Sequence, residues 1–366
     1  MPLTRIQSDA LKDAITSSNI ADGTVATADL ASGAVTAPKM AAGAVENYMA
    51  SAGTTYMFRN KLINGDFRVW QRGTTTIPGS GTSADMFKFE PRNNTTIYSD
   101  RSTDVPSGQN FTYSMRTYAT QATDDGFHIR TGVELPAAGS YGEFQPGTTW
   151  TLSFWMKSAY TGRTINPAIQ LANTMVGGSH QSQFVYSTQG VQTLTTSWQK
   201  YVFSFTMPAW SASSGSLSNV ICVSVRLLQG IDDTPQDTYL TGIQFERGDV
   251  ATPFEHRPYA LELSLCQRYY YNTYQNGIST GVENPPVIGS VYYYQSGAVA
   301  GSWKHPVRMR ATPSVTFYES HVNISPGNTT FSSPTVTADF MSYVTAANTT
   351  TNGYPARTHA AFNSEL

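Results

Sequence analysis

Trp155 is the side chain with which a binding chemistry can be built. In Thr149-Trp150-Thr151-Leu152-Ser153-Phe154-Trp155-Met156-Lys157, a period of two sends Trp150, Leu152, Phe154 and Met156 to one face of a strand. Thr151, Ser153, Trp155 and Lys157 go to the other. An indole among hydroxyls suits a sugar ring, because the ring's apolar face stacks on the indole while neighbouring polar groups bond its hydroxyls. Arg116 and Arg226 hold the polar positions of two further alternating stretches, Phe111 to Arg116 and Ile221 to Leu227. Trp155, Arg116, Arg226, Lys157 and Ser153 are therefore the candidate glycan contacts. Two other readings fit Trp155 as well: cover by a loop, or packing on a neighbouring protomer.

Other chemistry is thinly represented. The chain contains no Gly-x-Ser-x-Gly elbow, His-Glu-x-x-His helix, phosphate-cradling glycine loop or cysteine-nucleophile context. Glycan cleavage uses paired carboxylates that spacing alone does not reveal. The obvious pairs, Asp124-Asp125 and Asp232-Asp233, fall in turn-like stretches where Asp stabilises the turn through its own side chain. Trp303, His305, His321 and His359 lie among turn residues without metal-ligand spacing, so each reads as a surface residue. Cys222 and Cys266 are far apart and read as free, buried thiols.

Composition narrows the partners. Charged residues make up 13% of the 366, and the formal net charge is -2, so no basic footprint for nucleic acid exists. Aromatics reach 12%, with 21 Tyr, a mixture that favours strands. No run approaches the roughly 18 apolar residues of a membrane span, and the start lacks the apolar core of a secretion signal, so membrane insertion is not expected.

The elements that must position these side chains are strands. Short alternating runs divided by Gly, Pro, Ser and Asn extend from Asn60 to Pro258 and predict a two-sheet antiparallel jelly-roll sandwich. Tyr201, Phe203, Phe205 and Met207, with Ile221, Val223, Val225 and Leu227, belong to its core. Upstream, a ten-residue repeat places Ile20 and Val25, then Leu30 and Val35, then Met40 and Val45, around a fixed Gly. One unit is too poor in apolar surface to be stable alone, so copies of the chain must supply the missing walls, most simply as a homotrimer. A disordered linker is the other reading. Downstream, Tyr269-Tyr270-Tyr271, Tyr292-Tyr293-Tyr294 and Val307 to Tyr318 read as a smaller C-terminal β-sandwich, joined by a bridge in which Leu261, Leu263 and Leu265 alternate. The expected organisation is all-β. Residues 1–45 form an attachment and trimerisation stalk, 46–59 a hinge, 60–258 the jelly roll, and 259–366 a receptor-contacting tip.

Thr149 to Lys157, followed by Thr196-Ser197-Trp198-Gln199-Lys200-Tyr201-Val202-Phe203, resembles the jelly rolls of carbohydrate-binding modules of the cellulose- and xylan-binding kind. The opening Asn64-Gly65-Asp66-Phe67-Arg68-Val69-Trp70 and the closing Phe245-Glu246-Arg247-Gly248 through Pro258 are similar to those of bacteriophage tail-fibre and virion proteins that contain such a module. The resemblance implies a non-catalytic receptor-binding protein of the virion tail, made in the host cytoplasm. It would dock through its N-terminus on other tail or baseplate proteins and attach to host surface glycans. It also implies a structural calcium near the joined ends, with Asp66 and Glu246 at the matching acidic positions. A purely structural virion component and a polysaccharide depolymerase are the alternatives.

Overall fold

In a computed structural model, residues 58–364 are described except 75–76, 79–83, 92–96, 120–126, 137–140, 173–184, 210–219, 229–236, 276, 281–290, 294–298, 321–329 and 347–355. The repeat residues Ile20, Val25, Leu30, Val35, Met40 and Val45 lie outside the described residues. So do Asp124, Asp125, Asp232, Asp233 and His321.

Alternation builds the strands of the first part of the chain. They are β1 (Ile77–Pro78), β2 (Lys88–Pro91), β3 (Ile97–Ser102), β4 (Ser114–Ala119), β5 (Phe127–Glu134), β6 (Thr149–Ser158) and β7 (Thr164–Ile165). There follow β8 (Ala168–Ala172), β9 (Val185–Tyr186), β10 (Gln192–Thr193), β11 (Gln199–Thr206), β12 (Val220–Leu228) and β13 (Thr238–Arg247). One sheet has the order β1-β3-β4-β13-β6-β11. The other has the order β10-β7-β12-β5-β2, with β8 joined to β12 and β9. Asn166 and Pro167 divide β7 from β8 on the same flank of β12, since proline has no N–H to continue a ladder. All of these pairings are antiparallel.

The apolar set predicted from alternation fills the space between the sheets. Trp150, Leu152, Phe154 and Met156 of β6 are fully buried, and Phe203, Phe205, Ile221, Val223 and Val225 are almost as completely enclosed. Trp150 stacks between Phe144, at 4.2 Å, and Phe245, at 5.2 Å. At roughly 1.5–3 kcal/mol for each large side chain buried, these contacts dominate the stability of the sandwich. Strand β13 carries a feature that alternation does not foresee: its register against β6 shifts between Thr241 and Gln244. Gly242, at φ +62°, makes this bulge, and a Cβ there would meet Phe111 Cζ at 2.4 Å. The extra residue returns Ile243 and Phe245 to the core and turns Gln244 and Glu246 away from it.

The bridge after Pro258 is a correction to the alternating strand suggested by Leu261, Leu263 and Leu265. It is a helix, α1 (Tyr259–Gln267), and its buried residues Glu262 and Cys266 lie four positions apart. Glu262 accepts a hydrogen bond from the Asn64 N–H and faces Arg257 Nη1 at 3.4 Å, so a buried charge rather than an apolar stripe orients the helix. Beyond it, β14 (Tyr270–Asn272), β15 (Val291–Tyr293), β16 (Val299–Lys304), β17 (Ser314–Ser320), β18 (Thr330–Val336), β19 (Phe340–Ala346) and β20 (Ala356–Asn363) form two more sheets. In these, β14, β15 and β17 all pair with β20, while β16, β19 and β18 pair in that order. The two sheets meet over Met309, Met341, Ala360 and Phe362. His305 and His359 are buried in this region, correcting their assignment to the surface. The His305 ring packs edge-on against Phe362 at 4.6 Å.

This part is bonded to the sandwich. Glu134, at the end of β5, receives Arg268 Nη2 at 3.1 Å and the Tyr269 hydroxyl at 2.9 Å. Gln71 donates to the Tyr270 carbonyl at 2.7 Å, Asn272 donates to the Gln71 carbonyl at 2.7 Å, and Arg72 lies 3.4 Å over the Tyr270 ring.

Candidate functional site

The face of each sheet turned away from the core carries a row of polar side chains, placed by strand register. On the second sheet, Glu90 of β2 lies opposite His128 of β5, which lies opposite Arg226 of β12. In the adjoining row, Lys88, Arg130 and Ser224 are partners across the same strands. Cys222 of β12 lies opposite Gln170 of β8. Arg130, Gln170, Ser224 and His128 are between 0% and 5% exposed, although they point away from the apolar core. Polar groups so enclosed must be held in networks. Arg130 forms an ion pair with Glu90 and approaches His128 Nδ1 at 3.2 Å, while Ser224 Oγ lies 3.3 Å from the same nitrogen. Glu90 Oε2 lies 3.6 Å from that nitrogen as well, so the imidazole is surrounded by a guanidinium, a hydroxyl and a carboxylate. Burial pushes the Cys222 thiol up to about 11, so this cysteine is an inert neighbour and not a nucleophile. At the rim, Arg226 Nη1 reaches the exposed Tyr186 hydroxyl at 3.4 Å. The result is an enclosed polar floor that holds Glu90, Arg226 and Tyr186 at its accessible rim, and those rim groups are able to bond hydroxyl-rich molecules.

The first sheet carries a more open row. Lys157 of β6, Tyr239 of β13, Arg116 of β4 and Asp100 of β3 are successive register partners across four strands. Arg116 donates from Nη1 to Asp100 at 3.2 Å and lies with Nε 2.9 Å from Asp237. Its guanidinium is held charged chiefly by that second bond. Burial raises the Asp100 carboxyl despite Arg116, and Asp237 adds in the same direction. Tyr239, Arg116, Asp100 and Asp237 line a cavity of about 630 Å³ with Thr74, Arg101, Ser102 and Thr103.

Arg116, Ser153, Trp155 and Lys157 thus share one face of one sheet, while Arg226 belongs to the opposite sheet. Ser153 is buried, and Trp155 is half-buried opposite Lys200 and Thr241, outside the cavity lining. The indole beside the cavity is Trp198, from the turn entering β11, whose Nε1 donates to Asp104 at 2.9 Å. Alternation did not select it because it precedes the strand. Glu90, His128, Arg130 and Gln170 were also missed, since the runs that carry them were not read as strands of one sheet.

Asp66 and Glu246 do not fit a cation site. Asp66 faces Arg68 Nε at 2.5 Å, and burial raises its carboxyl more than Arg68 and His256 lower it. Glu246 lies 3.2 Å from Arg59 Nε and accepts from Thr252 N–H at 2.9 Å. Each carboxylate already has a guanidinium. Among the described residues no group of three His, Cys, Asp or Glu is placed to hold a metal, and no helix is long and apolar enough to cross a membrane.

Residues 60–220 match the family model of a carbohydrate binding domain. That stretch includes β2, β5 and β8, and it ends where β12 begins. No curated protein matches the chain. Among solved structures, the enzymatically active domain of tailspike protein 4 of bacteriophage CBA120 is similar at 12% identity and TM-score 0.31, over 52% of this chain and 21% of that one. A xylan-binding domain from Paenibacillus barcinonensis is similar at 12% identity and TM-score 0.28, over 49% of this chain and 99% of that one. The N-terminal cellulose-binding domain of a Cellulomonas fimi β-1,4-glucanase is similar at 12% identity and TM-score 0.30, over 48% and 96%. Likenesses at this level decide nothing about the ligand of this chain.

Proposed function

We propose that the chain is a non-catalytic saccharide-binding protein, and that it serves a bacteriophage tail as a receptor-binding fibre. The observation that carries the binding reading is the pair Arg226 and Tyr186, bonded to each other on the outer face of the second sheet above an enclosed polar floor, on strands within or adjoining the stretch that matches a carbohydrate binding domain. Groups held in fixed positions before a ligand arrives lose little entropy when it binds. Arg226 and Tyr186 at the rim would contact the sugar first. The virion reading is supported by the resemblance of both ends of the jelly roll to tail-fibre proteins. In that setting the repeat around Ile20, Val25, Leu30, Val35, Met40 and Val45 joins three chains. The N-terminus docks on other tail or baseplate proteins, and host surface glycans are the receptor.

Binding of the full chain to an array of bacterial surface glycans tests the reading. Wild type retains at least one glycan, while Arg226→Ala and Tyr186→Ala, each with an unchanged thermal midpoint, weaken that retention several-fold. Silence of the wild type across the array would leave a purely structural virion role. Host polysaccharide gaining reducing ends on incubation would instead establish a depolymerase.

A further inference from the structure

We infer that the outer face of the first sheet is a second saccharide-binding surface, selective for uncharged sugar units and independent of the floor on the opposite sheet. The site starts from the row Lys157, Tyr239, Arg116 and Asp100, set across four strands by register. At about 4.8 Å between strands the row is about 14 Å long, the scale of a short run of a glycan chain. Beside it lies the cavity of about 630 Å³, within the size range of small-molecule sites.

Rings and paired charges give the surface its chemistry. Trp198 meets Tyr239 edge-on at 6.3 Å, and Lys157 Nζ lies 5.4 Å from the one ring and 4.9 Å from the other. Lys157 also bonds Asp104 at 2.5 Å, while Trp198 holds the other oxygen of that carboxylate at 2.9 Å. Further along the sheet, Tyr98 and Tyr118 stack at 5.2 Å, with Arg116 4.9 Å over Tyr118. The two rings beside the cavity and the two beyond Arg116 would give apolar sugar faces places to rest.

The charges explain the selectivity. Arg116 is paired with Asp100 and Asp237 and Lys157 with Asp104, while Arg101, which lines the cavity, lies 4.3 Å over the Tyr113 ring, so the formal charge of the surface cancels. An anionic sugar would have to displace a carboxylate to reach Arg116 or Lys157, and beside Arg101 it would meet the Asp100 and Asp237 carboxylates of the same lining. A neutral hydroxyl can instead use the lone pairs and N–H groups that the pairs leave open, with no ion pair broken. Because the two faces point in opposite directions, one chain molecule engages two separate glycan strands.

The test uses the full-length chain on an array of neutral polysaccharides (β-glucan, xylan, mannan, dextran) and acidic ones (alginate, pectin, hyaluronan). Trp198→Ala and Lys157→Ala probe this face, and Arg226→Ala probes the other. Thermal midpoints equal to wild type show that each variant has folded. The expected result is retention on at least one neutral polysaccharide that falls about tenfold in Trp198→Ala and in Lys157→Ala, while Arg226→Ala leaves it. If no neutral polysaccharide is retained, or if Arg226→Ala alone removes retention, the second surface is overturned and the opposite floor is the only site. If Trp198→Ala removes all binding and Arg226→Ala none, the second surface stands and the floor reading falls. Release of reducing ends from a retained polysaccharide would make the Asp100 and Asp237 face catalytic and also overturn the inference.

Discussion

Gly65 opens the jelly roll, and its replacement by alanine is a sharp test of how the two ends of that domain are locked. A Cβ on Gly65 would lie 2.2 Å from the Ile243 carbonyl oxygen, 3.2 Å from Phe254 Cε2 and 3.3 Å from Asn60 Nδ2. Reaching ordinary contact at 3.4 Å requires the carbonyl to recede by 3.4 − 2.2 = 1.2 Å. That oxygen accepts from Asn60 Nδ2 at 3.1 Å, and the Ile243 N–H donates to the Gly65 carbonyl at 2.9 Å. Overpacking costs about 1–3 kcal/mol, and loss of one such buried hydrogen bond adds about 1–3 kcal/mol. Gly65→Ala should therefore destabilise by about 2–6 kcal/mol. Gly108 is the control: at φ +74° with nothing within 4 Å, its alanine variant bears only a conformational cost of roughly 1–2 kcal/mol. Guanidinium denaturation of both variants, read as midpoint and slope, separates space from conformation. A loss for Gly65→Ala no larger than that for Gly108→Ala would refute the idea that the joined ends are closed by close backbone approach.

Glu134→Ala should free the C-terminal sheets from the sandwich. It removes the acceptor of the Tyr269 hydroxyl, whose ring is 4% exposed, and should cost about 2 kcal/mol in chemical denaturation; unchanged stability would show the clamp to be incidental. Acid should weaken the fold as pH falls below the ordinary imidazole value of 6.5. Burial lowers His305 and His256 below the ordinary 6.5, with Arg68 adding to the lowering at His256 and Asp66 opposing it. The unfolded chain therefore takes up protons first, and stability falls as pH drops through the interval from 6.5 to the lowered folded values. Asp66 and Glu262, raised by burial, act with the opposite sign at lower pH, where acid relieves their buried charge. Thermal midpoints of wild type and His305→Gln from pH 8 to 4.5 should converge in acid; parallel curves would refute a titrating His305. Trp155→Ala should leave glycan retention at half or more of wild type, because Trp155 sits opposite Lys200 and Thr241 and not, like Trp198 and Lys157, against the cavity-lining Tyr239, and a complete loss on the array would return it to the centre of the site.

Much of the sandwich was legible because period two carries both strand and face. Trp150 to Met156, Tyr201 to Met207 and Ile221 to Leu227 each put their apolar set into the core as their spacing required. Sheet membership was not legible, because it depends on which strands meet across long separations. Arg116 and Arg226 hold equivalent positions in equivalent patterns, yet β4 and β12 belong to opposite sheets. The bulge at Gly242 was hidden for a related reason: a single inserted residue reverses the parity of everything after it, and only packing against Phe111 reveals it. Helix α1 was masked by Leu261, Leu263 and Leu265, because its position is set by the buried carboxylate of Glu262 and not by an apolar stripe. His305 and His359 were misplaced since turn-like neighbours say nothing about what a later strand lays over them.

If both faces bind saccharide as proposed, two weak faces on one body would account for attachment better than one strong one. A shallow saccharide site with millimolar affinity is worth about 4 kcal/mol, too little to hold a particle through a single contact. Linking sites raises the effective concentration of the next contact and adds roughly 10²- to 10⁴-fold, provided geometry permits both to be filled. Opposite faces of a sandwich cannot grip one straight segment of glycan together, so the gain depends on separate strands of a dense surface polymer. Glu134, Gln71 and Asn272 bond the C-terminal sheets to that body away from both faces' named residues. Joining three such bodies would multiply the number of faces without changing any of them. Avidity would then scale with glycan density on the surface, and free monovalent sugar should compete poorly. Competition that tracks single-site affinity, with no dependence on surface density, would show that the faces do not act together.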